Sequence, residues 1–309
     1  MRTRGVAAAV LLGAVALAGC GTGDSGTGDG GSALDVVATT PVVADFVRNV
    51  GGDRVHVDQI LKPGVDPHDY EPSPADMQAV AEADVVVRSG VGLEHWLDDT
   101  VSSAGFGGPV VDSSRGVAVR PGDEADSAGD PHIWHDPRNA GIMVGDIATA
   151  LAAKDPDGAA TYEKNAAAYQ AKLTALDAED RAKVESIPAG QRTLVTNHDA
   201  FGYYCARYGI TFVGSIIPSF DSAAELSGAE LSDLVEKIRR TGVRAVFSES
   251  SLPPRTAETV AHEAGVQVVG GENSLFADGL GPLDSPGGTY LGAERHNTDT
   301  IVRALGGRV

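Results

Sequence analysis

The stretch 157–187 contains no proline, is dominated by Ala, Lys, Glu, Asp, Gln and Leu, and closes at Pro188-Ala-Gly190. Most of these residues lose little side-chain freedom in a helix. Tyr162, Tyr169, Leu173, Leu176 and Val184 fall on roughly one stripe of it. One unbroken helix here would run roughly 45 Å at about 1.5 Å per residue. The alternative is two shorter helices joined near Asp177. A rod of that length divides the chain into a part before it and a part after it.

Strand-like and helix-like runs alternate on both sides. Before the rod, 34–38, 55–61, 84–88 and 109–112 read as strands, with helices over 41–50, 74–83, 93–103 and 138–153, the last with Pro137 at its first position. After it, 193–196, 210–214, 244–248 and 266–269 read as strands, and 201–208, 229–241, 254–264 and 289–305 as helices. Such alternation implies an α/β fold with mainly parallel sheets. The expected architecture is two similar α/β lobes, 33–156 and 188–309, joined by one long rigid helix, 157–187. No short sequence repeat points to a solenoid.

The N-terminus reads as an export signal. Arg2 and Arg4 precede an apolar run, 6–18, too short to span a bilayer, which leads into Leu17-Ala-Gly-Cys20. That order resembles a bacterial lipoprotein signal, 1–19, with Cys20 becoming the lipidated first residue. Residues 21–32 are Gly, Thr, Ser and Asp only, so 20–32 is expected to be a flexible tether. No later run is long enough to cross a membrane, and the lipid is the only expected membrane contact. Removing 1–19 takes away two arginines and no acid, leaving 22 basic against 43 acidic side chains and a formal charge of −21. An acidic surface argues against nucleic acid and anionic lipid as partners. Cys205, in an apolar and aromatic stretch, has no cysteine partner once Cys20 is lipidated and reads as a buried core residue.

The chemistry is concentrated in a few turns. Lys62-Pro-Gly-Val-Asp-Pro-His68 follows a strand, and Pro63, Gly64, Pro67, Pro72 and Pro74 stiffen the chain on both sides of one imidazole. Ser73 is a good N-cap for a helix beginning at Pro74. Asp130-Pro-His132 repeats the Asp-Pro-His arrangement, Thr196-Asn-His198 comes just after a strand, and Asp278 lies in a loop after the last strand. A lone histidine is more often a surface or core residue, but two such turns with a post-strand His argue for a site. Three imidazoles and a carboxylate suit a first-row divalent cation, with tetrahedral Zn²⁺ the natural fit. His56, alternating in a strand, and His262 and His296, on helix faces, are read as having no such role. His95, beside Trp96, is expected to cap or pack near the cleft. His135 is expected to support the site from outside the coordination sphere or to face solvent.

These residues resemble the cluster A-I metal-binding receptors of bacterial zinc and manganese ABC transporters. The resemblance covers nearly all of the mature chain. It is carried by Pro41-Val-Val-Ala-Asp45 with Val50-Gly-Gly52, Asp66-Pro-His-Asp-Tyr-Glu-Pro72, Asp130-Pro-His-Ile-Trp-His-Asp-Pro137, Thr196-Asn-His-Asp-Ala-Phe-Gly202 and Phe276-Ala-Asp278. It implies two α/β lobes joined by one rigid helix and metal held in the interlobe cleft by His68, His132, His198 and Asp278. Related manganese receptors often carry a carboxylate where His198 stands. Most relatives carry an apolar residue where His135 stands, which leaves an exchange of ligands with His135 open. Where many zinc members have a long His-rich loop, 116–129 is short, acidic and without His.

The function implied is a lipid-anchored receptor on the outer face of the cytoplasmic membrane that delivers Zn²⁺, or alternatively Mn²⁺, to an ABC importer. Its expected partners are the permease and, as a further candidate, a metallochaperone, and it is expected to be a monomer and not an enzyme. A zinc-dependent hydrolase fits less well, because catalytic zinc keeps a position open for water and needs a general base. An adhesin would suit the anchor and tether but leaves the paired Asp-Pro-His turns unexplained.

Overall fold

Thr40 accepts a hydrogen bond from Val43 N–H and Pro41 occupies the first helical position, so the first helix starts directly off the first strand. The computed structural model describes residues 33–122, 128–222, 224 and 227–309. The expected signal, tether and lipidated Cys20 lie outside the described residues.

The first half contains β1 (Leu34–Ala38), α1 (Pro41–Gly51), β2 (Val55–Gln59), α2 (Pro74–Glu82), β3 (Val85–Arg88), α3 (Leu97–Ala104), β4 (Val110–Asp112) and α4 (Pro137–Lys154). Its four strands form one parallel sheet in the order β2-β1-β3-β4. The order reverses beside β1, and ligands of such sheets gather beyond the C-terminal strand ends at that switch. The helix α5 (Ala159–Glu185) follows, continuous past Asp177, with Tyr162, Tyr169, Leu173, Leu176 and Val184 all on its buried side.

The second half contains β5 (Thr193–His198), α6 (Gly202–Tyr208), β6 (Thr211–Ile217), α7 (Gly228–Thr241), β7 (Ala245–Phe247), α8 (Arg255–Ala264), β8 (Gln267–Val269) and α9 (Tyr290–Ala304). Here β5 pairs with β6 and β7 with β8, both parallel. The fold is therefore α/β with mainly parallel sheets, as expected.

Several element boundaries differ from the sequence reading, and three of them have a visible cause. Helix α3 begins at Leu97 rather than at 93, because the buried Glu94 carboxylate accepts hydrogen bonds from Ser89 N–H, Gly90 N–H and Thr39 Oγ and holds the preceding residues in a turn. Val91 within that turn has φ of 53°, unusual for a β-branched residue. Strand β6 runs on to Ile217, and β5 runs on to His198 because those two residues pair. His198 thus ends the strand instead of following it.

Cores lie on both sides of the first sheet, one of them under α1, α4 and α5. Cys205 is buried as expected, and burial pushes its thiol up. Asp45 of α1 is a polar tie inside this packing. It accepts from Tyr169 Oη at 2.7 Å and from Tyr290 N–H at 3.3 Å, joining α1 to α5 and to the start of α9. Burial raises Asp45 despite these bonds, and burial, with the Asp45 charge beside it, raises the Tyr169 phenol. Removing the Tyr169 hydroxyl leaves a buried carboxylate short of a donor. Tyr169→Phe is expected to cost about 1–3 kcal/mol in urea unfolding, whereas His56→Ala, on an exposed strand position, is expected to leave the midpoint unchanged.

Candidate metal centre

The two Asp-Pro-His turns share one piece of local chemistry. Asp66 Oδ1 accepts from His68 N–H at 2.9 Å and Asp130 Oδ1 accepts from His132 N–H at 3.0 Å. Each aspartate thus folds the backbone back on itself two residues later, with proline holding the residue between. The first turn is pinned further by Ser222 Oγ, 2.5 Å from Asp66 Oδ2, and by Trp96 Nε1–H, which donates to Pro67 O at 3.1 Å. Ser73 and Asp76 form a capping box at the start of α2, as the Ser-Pro pair suggested.

The second turn is held from behind. Asp130 Oδ1 also lies 2.9 Å from His132 Nδ1, and its other oxygen accepts from Arg120 at 2.8 Å. Tyr203 Oη donates to Asp130 O and accepts from Arg120 N–H. A Cβ on Gly202 would land 1.1 Å from Arg120 Nη1, so a larger residue there would displace this guanidinium from its present position. A Cβ on Gly129, whose φ is 94°, would lie 2.6 Å from Arg120 O.

These turns bring His68, His132, His198 and Asp278 together, with one ligand atom from each inside 4.8 Å of all the others. His132 Nε2 and His198 Nε2 lie 3.2 and 3.3 Å from Asp278 Oδ1, and 3.2 Å from each other. His68 Nε2 is 3.9 Å from the same oxygen. A tetrahedron with metal–ligand bonds of about 2.0–2.1 Å has edges of about 3.3 Å, which the His132, His198 and Asp278 edges match, while His68 stands wider. Asp278 Oδ1 and His68 Nε2 are buried with no hydrogen-bond partner among protein atoms. Atoms of that kind call for a partner, and a cation at their meeting point would serve both. Among the described residues no other group of this kind occurs.

The sequence reading missed Glu249. Its Oε2 lies 2.6 Å from His198 Nδ1, and its Oε1 accepts from His198 N–H at 3.0 Å. It stands just past β7, so a carboxylate at a strand end was visible, but not the histidine that it meets. His95 is exposed, its ring 6.4 Å from that of His68. His262 is exposed on α8, and His296 Nε2 donates to Ser274 O at 2.9 Å. His135 does not face solvent. It is fully buried and lies outside the four-residue group.

Charge at the centre is arranged for a cation. Burial works against a charged imidazole, but the neighbouring Asp130 and Asp278 carboxylates outweigh it and push His132 up to about 9. His198 is likewise raised, against burial, by the charges of Asp278 and Glu249. Asp278 is held well below its ordinary value because the adjacent His198 and His132 imidazoles outweigh its own burial. A metal must take these proton positions, since only neutral imidazole binds it.

Comparison with known proteins accords with this chemistry. The chain is 35% identical over 296 residues, 96% of each sequence, to the manganese-binding lipoprotein MntA of Halalkalibacterium halodurans. It is 32% identical to the manganese ABC transporter substrate-binding lipoprotein PsaA of Streptococcus mitis, across 99% of both. Among solved structures it resembles the periplasmic zinc-binding protein TroA of Treponema pallidum, with a TM-score of 0.82, 34% identity, and coverage of 89% of this chain and 99% of that one. By class, the chain is a substrate-binding component of a metal ABC transporter, an extracytoplasmic membrane-anchored protein and not an enzyme. It belongs to the ZnuA family, zinc-uptake complex component A, periplasmic, whose pattern matches residues 36–304.

Cation binding near pH 7 is expected to release protons. Calorimetry in two buffers of different ionisation enthalpy checks this, and heats independent of buffer would contradict it. With His132 raised from 6.5 to about 9, its stabilising effect on the metal-free protein is full below pH 6.5 and lost as pH rises through about 9. Asp278 stays ionised throughout that window. The metal-free Tm is therefore expected to fall, and metal affinity to rise, between pH 6.5 and 9.

Proposed function

We propose that this receptor carries Zn²⁺, bound by His68, His132, His198 and Asp278, to the permease and ATPase of an ABC importer. The observation that carries the reading is the donor set: three imidazole nitrogens around one carboxylate oxygen. Zinc accepts four ligands with nitrogen dominant, manganese prefers more oxygens in near-octahedral geometry, and the Irving–Williams order also favours zinc over manganese. The naming of TroA as a zinc-binding protein supports it. The names of MntA and PsaA favour the second reading, a manganese receptor of the same transporter class. His198 separates the two, because related manganese receptors often carry a carboxylate at that position.

Competition with a chromogenic chelator tests the choice. Wild type is expected to bind Zn²⁺ above Mn²⁺, and His198→Glu to lower zinc affinity and narrow the ratio. Tighter Mn²⁺ binding by wild type would replace zinc with manganese. Asp278→Ala is expected to shrink the metal-induced rise in Tm without unfolding the metal-free protein. A ligand at a thousandfold excess over Kd stabilises by about 4 kcal/mol, so the loss is measurable.

The same reading places lipid on Cys20, with 1–19 removed, 20–32 as tether, and lobes 33–156 and 188–309 on either side of the linking helix 157–187. The receptor acts as a monomer, and a metallochaperone is a further candidate partner. Cys20→Ala is expected to be shed or mislocalised, and membrane retention equal to wild type would count against lipid attachment there.

A further inference from the structure

His135 and Glu294 are the one buried histidine–carboxylate pair that stands apart from the four candidate ligands among the described ion pairs. His135 Nδ1 lies 2.8 Å from Glu294 Oε1 of α9, and its Nε2 lies 2.9 Å from Ala277 O. A carbonyl only accepts, so Nε2–H donates, and the glutamate fixes the ring from the other side. The ring also stacks on Phe201, centroids 4.4 Å apart. Trp134 Nε1–H donates to the same Ala277 carbonyl at 3.2 Å, and Tyr290 Oη donates to Trp134 O at 2.6 Å. Two neighbouring side chains of the His132 turn therefore grip the peptide unit that leads into Asp278. On the far side of that peptide, Asp278 Oδ1 faces the three imidazoles while Oδ2 lies 3.4 Å from Ser251 Oγ.

We propose that His135, oriented by Glu294, is a positioning residue that sets Asp278 as a one-oxygen ligand through the Ala277 carbonyl, biasing the centre toward a four-coordinate cation. The selectivity part rests on the zinc reading above. The mechanism is geometric. A carboxylate free to rotate or advance offers a second oxygen and raises the coordination number, which suits a metal that prefers oxygen-rich shells. Anchoring the backbone one residue earlier, with Ser251 beside the second oxygen, opposes that movement. Outer partners of this kind typically change metal affinity on the order of 10–100-fold.

His135→Ala alone would leave Glu294 buried without its partner and risks misfolding. The test therefore uses His135→Leu/Glu294→Met, an apolar pair that fills the space but cannot donate to Ala277, with Glu294→Gln as the conservative variant. The Gln amide can donate to Nδ1 and leaves Nε2–H on the carbonyl. The measurements are the visible spectrum of the Co²⁺-loaded protein, whose intensity reports coordination number, and the Zn²⁺/Mn²⁺ affinity ratio by chelator competition.

The double variant is expected to keep the metal-free Tm, to lose Co²⁺ band intensity, and to lower the Zn²⁺/Mn²⁺ ratio about tenfold or more. Glu294→Gln is expected to retain the wild-type spectrum. A double variant with unchanged spectrum and ratio overturns the proposal. Wild type that prefers Mn²⁺ overturns the zinc reading alone, because the strut is judged on the difference between variant and wild type.

Discussion

One buried carboxylate oxygen, Asp278 Oδ1, faces three imidazole nitrogens drawn from three separate segments. Burying that charge without a positive partner would be costly, since an isolated ion loses its hydration in the interior. The solution is a cluster in which imidazoles carry protons or a cation takes their place. Asp130 and Glu249 behind His132 and His198 add further carboxylates, which favour a dication among the rings. The four residues come from the turn after β2, the turn before α4, the end of β5 and the loop after β8. None of these segments makes a site alone. The packing of the first half against the second is what creates it.

Rigidity at the centre has identifiable sources. His132 and His198 each have a carboxylate on Nδ1, which leaves Nε2 aimed inward. His68 has its backbone fixed by Asp66 and its turn fixed by Trp96. Of the four, His68 keeps the most exposure, at 7%, and the exposed His95 stands beside it. That side of the cluster is therefore the nearest to solvent. Four side-chain donors gathered at this spacing could fill the shell of a four-coordinate cation, which suits capture and delivery.

Much of this was legible in the order of residues because the signals were local. Absence of proline through 157–187 allows one long helix, and Pro137, Pro74 and Ser73 mark helix starts by their own backbone chemistry. The Asp-Pro-His pairs could be seen as turns because each aspartate meets a backbone N–H only two residues away. The resemblance to metal receptors then tied His198 and Asp278 to these two histidines.

What stayed hidden depends on contacts across long separations. Glu94 delays α3 because it meets Thr39, and β6 gains three residues because Ile217 finds His198. His135 could be read as facing solvent, since nothing near it in the chain shows Glu294 or Ala277, each more than a hundred residues away. Glu249 was a carboxylate at a strand end until the packing of β7 beside β5 set it on His198. The sequence by itself determined the alternation of strand and helix, the central rod and the two stiff histidine turns, because propensity and short-range hydrogen bonding act within a few residues. Only the tertiary structure decided which carboxylate backs which imidazole, because that choice is made where distant segments meet in a dry interior and every buried charge must find a partner.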